Sequence, residues 1–147
     1  MNKKSFFTVL VVFISLFFSV SCEKKDSHSQ NEIFEIRERM FMGQVNDVYK
    51  NRNSFLGRTI RYEGLFTKNE LFSAVFRYGP GCCGDDGKVG FEVRWEPDHL
   101  MQDPAEDSWV EVTGILKEYE YSSLKYLYLE IISLVELNKR GAVFVRQ

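Results

Sequence analysis

The residues best suited to chemistry are two adjacent cysteines in the stretch YGPGCCGDDGKVG, which spans Tyr78–Gly90. Cys82 and Cys83 lie between glycines, and Asp85 and Asp86 follow them. Thiolates and carboxylates are ligands for zinc, and two thiolates alone suit a soft ion such as Cu(I). One interpretation is therefore a metal site, for zinc or copper, with four ligands: Cys82, Cys83, Asp85 and Asp86.

Two other interpretations of the same loop stay open. Adjacent Cα atoms are about 3.8 Å apart, closer than in ordinary disulfides, so a Cys82–Cys83 disulfide would be strained and easily reduced. Alternatively, the cysteines are small buried residues at the end of a hairpin and the aspartates are solvated turn residues. The flanking glycines suit all three interpretations and do not discriminate among them.

Other reactive constellations are weak. The chain has two histidines, of which His28 lies in a polar N-terminal stretch and His99 follows Asp98 in the loop sequence EPDH. The sequence presents no recognisable Ser-His-Asp set. We therefore expect a binding or assembly module rather than an enzyme, with a redox-active or metal-handling subunit as the competing class.

The N-terminus has the layout of a bacterial export signal. Lys3 and Lys4 precede a mainly apolar stretch from Phe6 to Val20, and small residues then lead to Cys22. This apolar core is shorter than the roughly 20 residues that span a membrane. The ending SVSC resembles a lipoprotein signal, in which the cysteine is acylated and becomes the new N-terminus.

The signal divides the chain into three expected parts: a lipoprotein signal peptide over residues 1–21, a disordered tether over residues 22–30, and a folded domain over residues 31–147. Acyl chains such as palmitate on Cys22 would hold the protein on the cell membrane or the outer membrane, facing the periplasm or the exterior. The tether contains no apolar residue after Cys22 with which it could pack.

The charge balance disfavours nucleic acid as a partner. The chain carries 19 Lys and Arg against 21 Asp and Glu, a net charge of −2, and removal of Lys3 and Lys4 with the signal changes this to −4. A nucleic-acid-binding domain is usually basic, since it must neutralise phosphates. The aromatic content of 15% with only three prolines instead suits a β-rich core.

The apolar spacing predicts one helical region followed by five strands. Apolar residues recur at intervals of three to five from Asn31 to about Asn51, with Gly43 in the middle. After Gly57 the period changes to two. The predicted strands are RTIRYEGLF, LFSAVFRY, VGFEVRW, WVEVTGIL and KYLYLEIISLVEL. The final residues, NKRGAVFVRQ, predict a terminal strand or a strap on the sheet.

Two of these strands share one pattern, in which apolar and polar residues alternate and are followed by a glycine and two apolar residues. Gly64 in IRYEGLF and Gly114 in VEVTGIL interrupt otherwise alternating strands. A glycine inside a strand usually marks a bulge or a sharp coil. The pattern therefore favours a mainly β fold with an N-terminal helix, a five-stranded OB-fold-like small barrel. An SH3-like barrel or an open sheet covered by a helix would explain the alternation about as well.

The last two predicted strands carry several tyrosines. Glutamates alternate with some of them, and these residues are expected to line the last hairpin: Glu118, Tyr119, Glu120, Tyr121, Tyr126 and Tyr128. Exposed aromatic side chains on an OB face can stack on sugars or bases. They also stabilise sheets as plain cross-strand pairs.

The span from Phe55 to Leu137 resembles the C-terminal extracytoplasmic domain of the uncharacterised YcgQ-type bacterial membrane protein family. The shared features are a Gly57–Gly64 opening, an arginine at Arg77 before the double cysteine, and the WVEVTG strand from Trp109 to Gly114. The resemblance implies an OB-like domain outside the membrane, beside a permease. In this chain GDDG follows the cysteines where the family has alanine and aspartate, and a signal with Cys22 replaces the family's transmembrane helices.

Taken together, the sequence predicts a membrane-anchored extracytoplasmic lipoprotein that binds or assembles with other envelope components. Its expected partners are the lipid membrane, through acylated Cys22, and a permease or envelope protein. A transport or metal association would act through the Cys82–Cys83 loop. A third class, oligosaccharide or nucleic-acid binding on the OB face, rests on the hairpin tyrosines.

Overall fold

The computed structural model of the protein describes residues 32–80, 86–96 and 103–146. Within these ranges the secondary structure is mainly β, with only short helices. The strands are β1 (Phe34–Glu35), β2 (Thr59–Lys68), β3 (Ser73–Pro80), β4 (Asp86–Arg94), β5 (Trp109–Tyr121) and β6 (Leu124–Glu136). The helical segments are a 3-10 turn (Glu38–Met40), α1 (Phe41–Lys50) and α2 (Arg52–Phe55).

The five long strands form a ring of backbone pairings. Each pairs with two neighbours in the order β2–β3–β4–β6–β5, and β5 returns to β2. The pairings are antiparallel except that between β4 and β6, which joins Glu92–Arg94 to Tyr128–Glu130. The short strand β1 lies parallel to β2 beside Ile60 and Arg61. The prediction of a mainly β domain with five long strands is confirmed.

The main core lies inside this ring and follows from strand alternation. Alternate residues of a strand face the same side of the sheet, and Ile60 and Tyr62 on β2 are buried, as the period of two in this strand indicates. Most of the alternating apolar residues of the later strands are also buried: Phe91, Val93, Val110, Val112, Leu127, Leu129 and Ile131. Trp95, on the same face of the chain as Phe91 and Val93, is only partly buried and packs against this core. Phe41, Val45 and Val48 of α1 complete this core.

The two glycines singled out in the strands lie at close backbone contacts. A Cβ atom on Gly64 would lie 2.7 Å from the carbonyl oxygen of Phe76, and one on Gly114 would lie 2.7 Å from that of Glu130. The pairing of β5 with β6 also shifts register between Thr113 and Gly114. These glycines therefore allow neighbouring strands to approach where the sheet coils.

The helical region begins later than the sequence predicts. The prediction of a helix from Asn31 is wrong for the residues before the 3-10 turn, since Phe34 and Glu35 form β1 instead. The Phe34 ring packs edge-on against Phe55, with centroids 5.0 Å apart. Backbone partners on β2 and this aromatic contact outweigh the helical spacing of the apolar residues. The α1 helix packs its apolar face on the sheet, as predicted.

The β3 strand alternates, but the sequence pattern, which places Phe72, Ala74, Phe76 and Tyr78 together on one apolar side, is wrong about which side faces the main core. Its inward face carries Val75 and Arg77, both buried. Phe76 is also buried, but in a second cluster with Leu65 and Trp109. The C-terminal residues 137–146, here named the C-terminal strap, cover this cluster through Leu137 and Val143. The predicted terminal strap is therefore confirmed, and it pairs with β3 through a bridge between Tyr78 and Phe144.

Candidate ligand-binding cleft

A cavity of about 480 Å³ lies where the ring of strands is incompletely paired. The β4 and β6 strands pair only at Glu92–Arg94 and Tyr128–Glu130. The residues that precede these on the two strands do not pair with each other, and most of them line the cavity: Lys88, Gly90 and Phe91 on β4, and Lys125, Tyr126 and Leu127 on β6. We call this cavity the cleft. Its volume lies in the range of about 300–1,000 Å³ typical of small-molecule sites.

The cleft is bounded by the α1–α2 region on one part of its wall and by the β2–β3 loop on another. Tyr49 of α1 donates a hydrogen bond from its hydroxyl to the Gly90 carbonyl at 3.0 Å. Its ring stacks on Phe91, with centroids 5.2 Å apart. In the β2–β3 loop, the Asn69 side-chain oxygen accepts hydrogen bonds from the Leu71 and Phe72 amides. This turn presents Phe72, 44% exposed, to the cleft.

The β5–β6 hairpin supplies an aromatic wall. Tyr119 and Tyr126 face each other across the two strands and stack with centroids 5.4 Å apart. Tyr128 meets Tyr119 edge-on at 5.8 Å. The hairpin turns at Ser122 and Ser123, both with positive φ, which matches the right-handed twist of paired strands. The predicted placement of the tyrosines on this hairpin is confirmed.

A charged network fixes the orientation of Tyr119. Glu92 accepts a hydrogen bond from Arg94 Nε at 2.7 Å and one from the Tyr119 hydroxyl at 2.8 Å, on separate carboxylate oxygens. The Arg94 guanidinium lies over the Tyr119 ring, 3.8 Å from its centroid. Burial, together with the neighbouring Glu92 carboxylate, raises the pKa of Tyr119. The hydroxyl therefore stays protonated at neutral pH and keeps donating to Glu92.

Three cations also line the cleft: Arg52, Lys88 and Lys125. Arg52 and Lys125 share one carboxylate, Glu118, at 3.5 Å and 2.7 Å. The hydrogen bond from Lys125 lowers the pKa of Glu118, which is therefore ionised at neutral pH. The Lys88 ammonium lies 4.3 Å from the centroid of the Phe76 ring. The cleft thus combines ring faces with basic side chains.

A second polar cluster surrounds Arg77, which is only 2% exposed. Its Nε donates to the Glu63 carbonyl at 2.7 Å, and its Nη1 donates to Glu38 at 3.1 Å and to the Ala142 carbonyl at 3.2 Å. The guanidinium lies between Phe41 and Trp109, 4.8 Å from each ring centroid. These bonds fasten the turn before α1, the β2 and β3 strands and the C-terminal strap to one another.

The predicted thiol site lies almost entirely outside the described residues. Cys82, Cys83 and Asp85 are not described, and Asp86 is described only as the first residue of β4. The β3–β4 pairing extends to Pro80 and Asp86, so residues 81–85 connect the two strands. Cys22, His28 and His99 also fall outside the described ranges. Within those ranges, no group of three or more His, Cys, Asp or Glu residues could hold a metal ion.

Part of the cleft is visible in the sequence. The alternating run of the last hairpin marks its tyrosines and the acids beside them, but no motif marks Arg52, Lys88, Glu92 or Arg94. Strand alternation does place Lys88, Glu92 and Arg94 on one face of β4, so that signal was available. Arg52 was not predictable, because its position depends on how α2 meets the β5–β6 hairpin.

The chain matches the DUF1980 C-terminal domain over residues 19–145 and belongs to this family. It is similar to the UPF0703 protein YcgQ of Bacillus subtilis (strain 168), with 27% identity over 120 residues. That alignment covers 77% of this chain and 40% of YcgQ, so the chain matches less than half of its relative. No solved structure matches it. The resemblance to the YcgQ-type family is therefore confirmed.

No helix among the described residues is long and apolar enough to cross a membrane.

Proposed function

We propose that this protein is an exported, lipid-anchored binding module that holds a ring-bearing ligand, such as an oligosaccharide, in the cleft. The observation that carries the proposal is the cleft itself, a cavity of about 480 Å³ bordered by the exposed rings of Phe72 and Tyr126. Flat aromatic faces stack on rings and tolerate variation in the ligand. Basic side chains beside them would orient polar groups of the ligand.

The order of strand pairing supports an OB-like architecture for this module. OB-folds are five-stranded, partly open barrels that bind ligands on the face of their second and third strands, between two loops. The long strands β2 to β6 give five strands, of which β3 and β4 are the second and third. The cleft touches both of these strands, together with the β2–β3 loop and the β5–β6 hairpin.

The lipid anchor is supported by the sequence of the signal and by chain length. Cys22 follows the apolar core, and the first described residue, Glu32, is ten positions further along. Ten residues span at most about 35 Å when fully extended. An acyl group on Cys22 would therefore keep the folded domain close to a membrane surface, where envelope glycans and membrane proteins are available as partners.

Anchoring is tested by producing the full chain and its Cys22→Ala variant in a bacterium that processes lipoproteins. We expect the wild type to incorporate labelled palmitate, to sediment with membranes and to be degraded by protease added to cells with a permeabilised outer layer. The Cys22→Ala variant should lose the label. Recovery of an unprocessed, unlabelled wild-type chain in the soluble cell interior would overturn this part of the proposal.

Ligand binding is tested by the thermal stability of the full-length protein with oligosaccharides, alongside its Tyr126→Ala variant. We expect at least one oligosaccharide to raise the Tm, since a ligand that binds only the folded state stabilises it. That increase should be lost in Tyr126→Ala, while Tyr121→Ala, at a more exposed tyrosine of the same hairpin that does not line the cleft, should retain it. No stabilisation by any oligosaccharide would contradict the proposal.

A second candidate function is a metal-handling or redox role for the Cys82–Cys83 loop. The observation that favours it is that the β3 strand, which leads into this loop, is held in place by the C-terminal strap. The Tyr78 amide donates to the Val143 carbonyl, and the Tyr78 carbonyl accepts from the Val145 amide. The test compares the wild type with a Cys82→Ser/Cys83→Ser variant. Metal binding predicts loss of zinc or copper stoichiometry in the variant, and a disulfide predicts two extra free thiols in the wild type after reduction. If neither the metal stoichiometry nor the number of free thiols changes, this candidate is ruled out.

A further inference from the structure

The side chains around the cleft carry more positive than negative charge. The charge of Glu92 is balanced by Arg94, which donates to one of its oxygens at 2.7 Å, and Tyr119 donates to the other at 2.8 Å. Glu118 is a single carboxylate that faces two cations, Arg52 and Lys125. One of those two positive charges is therefore uncompensated within the cluster. This excess stands out in a chain whose net charge is −2.

Lys88 adds a second positive charge. Within the described residues it forms no ion pair with a carboxylate, and its ammonium lies over the Phe76 ring at 4.3 Å. The side chain of Lys88 is exposed and lines the cleft. A cation held over a ring face remains free to accept an anion on its outer side. Glu106, which accepts hydrogen bonds from the Thr67 hydroxyl and the Lys68 amide, offsets part of the Lys88 charge from a longer distance. The cleft therefore carries an excess of about one to two positive charges that a ligand could neutralise.

The rings of the cleft are placed for stacking beside these cations. Tyr126 is 40% exposed and Phe72 is 44% exposed, and they come from different elements, the β6 strand and the β2–β3 loop. Tyr126 is held by stacking on Tyr119, which Glu92 holds in turn. A preorganised aromatic face loses little conformational entropy when a ligand stacks on it. The ligand should thus have a face that stacks and a negative group close to that face.

We propose that the cleft binds an acidic saccharide, a chain of sugar rings that carry carboxylates, with its ring on Tyr126 and its carboxylate between Lys88 and Lys125. This inference rests on the proposed function and names the class of ligand. A nucleic acid fits less well, because a groove that follows a phosphate backbone needs a row of cations. The cleft has an excess of only about one to two positive charges, in an acidic protein.

The test measures the affinity of the full-length protein in detergent for trigalacturonate and for a neutral trisaccharide of similar size, with titration calorimetry. We expect trigalacturonate to bind at least tenfold more tightly than the neutral sugar, and this preference to shrink as salt rises. Lys88→Gln should remove most of the preference while leaving the affinity for the neutral sugar within twofold. Tyr126→Ala should weaken both sugars by about tenfold.

The matched control is Lys50→Gln, which removes a cation at the exposed C-terminal end of α1 that does not line the cleft. It should leave both affinities unchanged. Circular dichroism and thermal unfolding of each variant would establish that it folds. Should a variant fail to fold, the salt dependence of the wild-type preference still decides the matter.

Three results would overturn the inference. The first is equal affinity for the neutral and the acidic sugar, with binding of both lost in Tyr126→Ala. This result would support the proposed function but exclude an acidic saccharide as the preferred ligand. Inorganic phosphate that competes as well as trigalacturonate would show recognition of charge without a sugar. A single-stranded oligothymidine that binds more tightly than trigalacturonate would place the ligand among nucleic acids.

Discussion

The carboxylate of Glu38 lies 3.1 Å from the guanidinium of Arg77, and the same carboxylate oxygen accepts a hydrogen bond from the Ala142 amide at 2.9 Å. One ion pair thus joins the turn before α1, the β3 strand and the C-terminal strap. Arg77 is nearly inaccessible to solvent, whereas the Glu38 side chain is 52% exposed. The pair therefore lies at the boundary of the core, with its cation on the inner side.

Replacement of Arg77 by methionine should destabilise the protein strongly. It leaves the carbonyl oxygens of Glu63 and Ala142 without their donor and the Glu38 carboxylate without its cation. An unsatisfied group that is fully buried costs about 1–3 kcal/mol, and these three groups are partly accessible to water. We expect a loss of about 3 kcal/mol in the free energy of unfolding, measured with urea. Arg61→Met, which removes a half-exposed pair with Glu35, should change stability by less than about 1 kcal/mol. Similar values for the two variants would contradict a fastening role for Arg77.

The Glu38 pair should make stability depend on pH on the acid side. Hydrogen bonds from the Ala142 amide and from Arg77 lower the pKa of Glu38 in the folded protein. A lowered pKa contributes stability above the pKa of the unfolded state, about 4.3, and that contribution is lost as the pH falls below it. Glu38→Gln should therefore narrow the stability difference between pH 7 and pH 3. An unchanged difference would show that the carboxylate has no such role.

Tyr62 holds two strands together from inside the ring. Its hydroxyl donates to the Val75 carbonyl at 2.7 Å and accepts from the Phe91 amide at 3.1 Å. Tyr62→Phe removes both bonds and leaves two buried backbone groups unpaired. We expect a loss of about 2 kcal/mol in urea unfolding. Tyr126→Phe, which removes a hydroxyl from a 40% exposed ring, should stay within about 0.5 kcal/mol of the wild type.

The glycines of the chain should separate into two classes when they are replaced by alanine. A Cβ on Gly114 would meet Glu130 O at 2.7 Å and Leu129 Cβ at 2.9 Å, so Gly114→Ala should cost about 2 kcal/mol or more. A Cβ on Gly43, in α1, would meet nothing within 4 Å. Gly43→Ala should instead stabilise by about 0.5–1 kcal/mol, because alanine favours the helix. Thermal unfolding of both variants measures this contrast.

Much of the fold follows from the sequence because strand alternation and glycine placement are local signals. The period of two predicts the five long strands and most of the buried residues, and Gly64 and Gly114 mark the coiled points. Two features depend on distant partners instead. Phe34 leaves the helical pattern because β2 and Phe55 are available to it, and Arg77 is buried because Glu38 and Ala142 meet it there.

The cleft was predictable only in part for the same reason. The hairpin tyrosines are visible as an alternating run, and their pairing follows from the short turn at Ser122 and Ser123. The charge balance is not visible, since Glu118 meets Arg52 only when α2 packs beside the hairpin. The thiol loop, the acylation of Cys22 and the tether stay predictions, because these residues lie outside the described ranges.

The central claim is that a ligand occupies the gap between β4 and β6, and amide chemical shifts of the labelled full-length protein in detergent micelles test it most directly. On addition of trigalacturonate we expect the largest shifts at Asn69, Lys88 and Tyr126, which line the cleft from three different elements. Amides of the strap, such as Gly141, should move little. Shifts centred on the strap, or none at millimolar sugar, would contradict the claim.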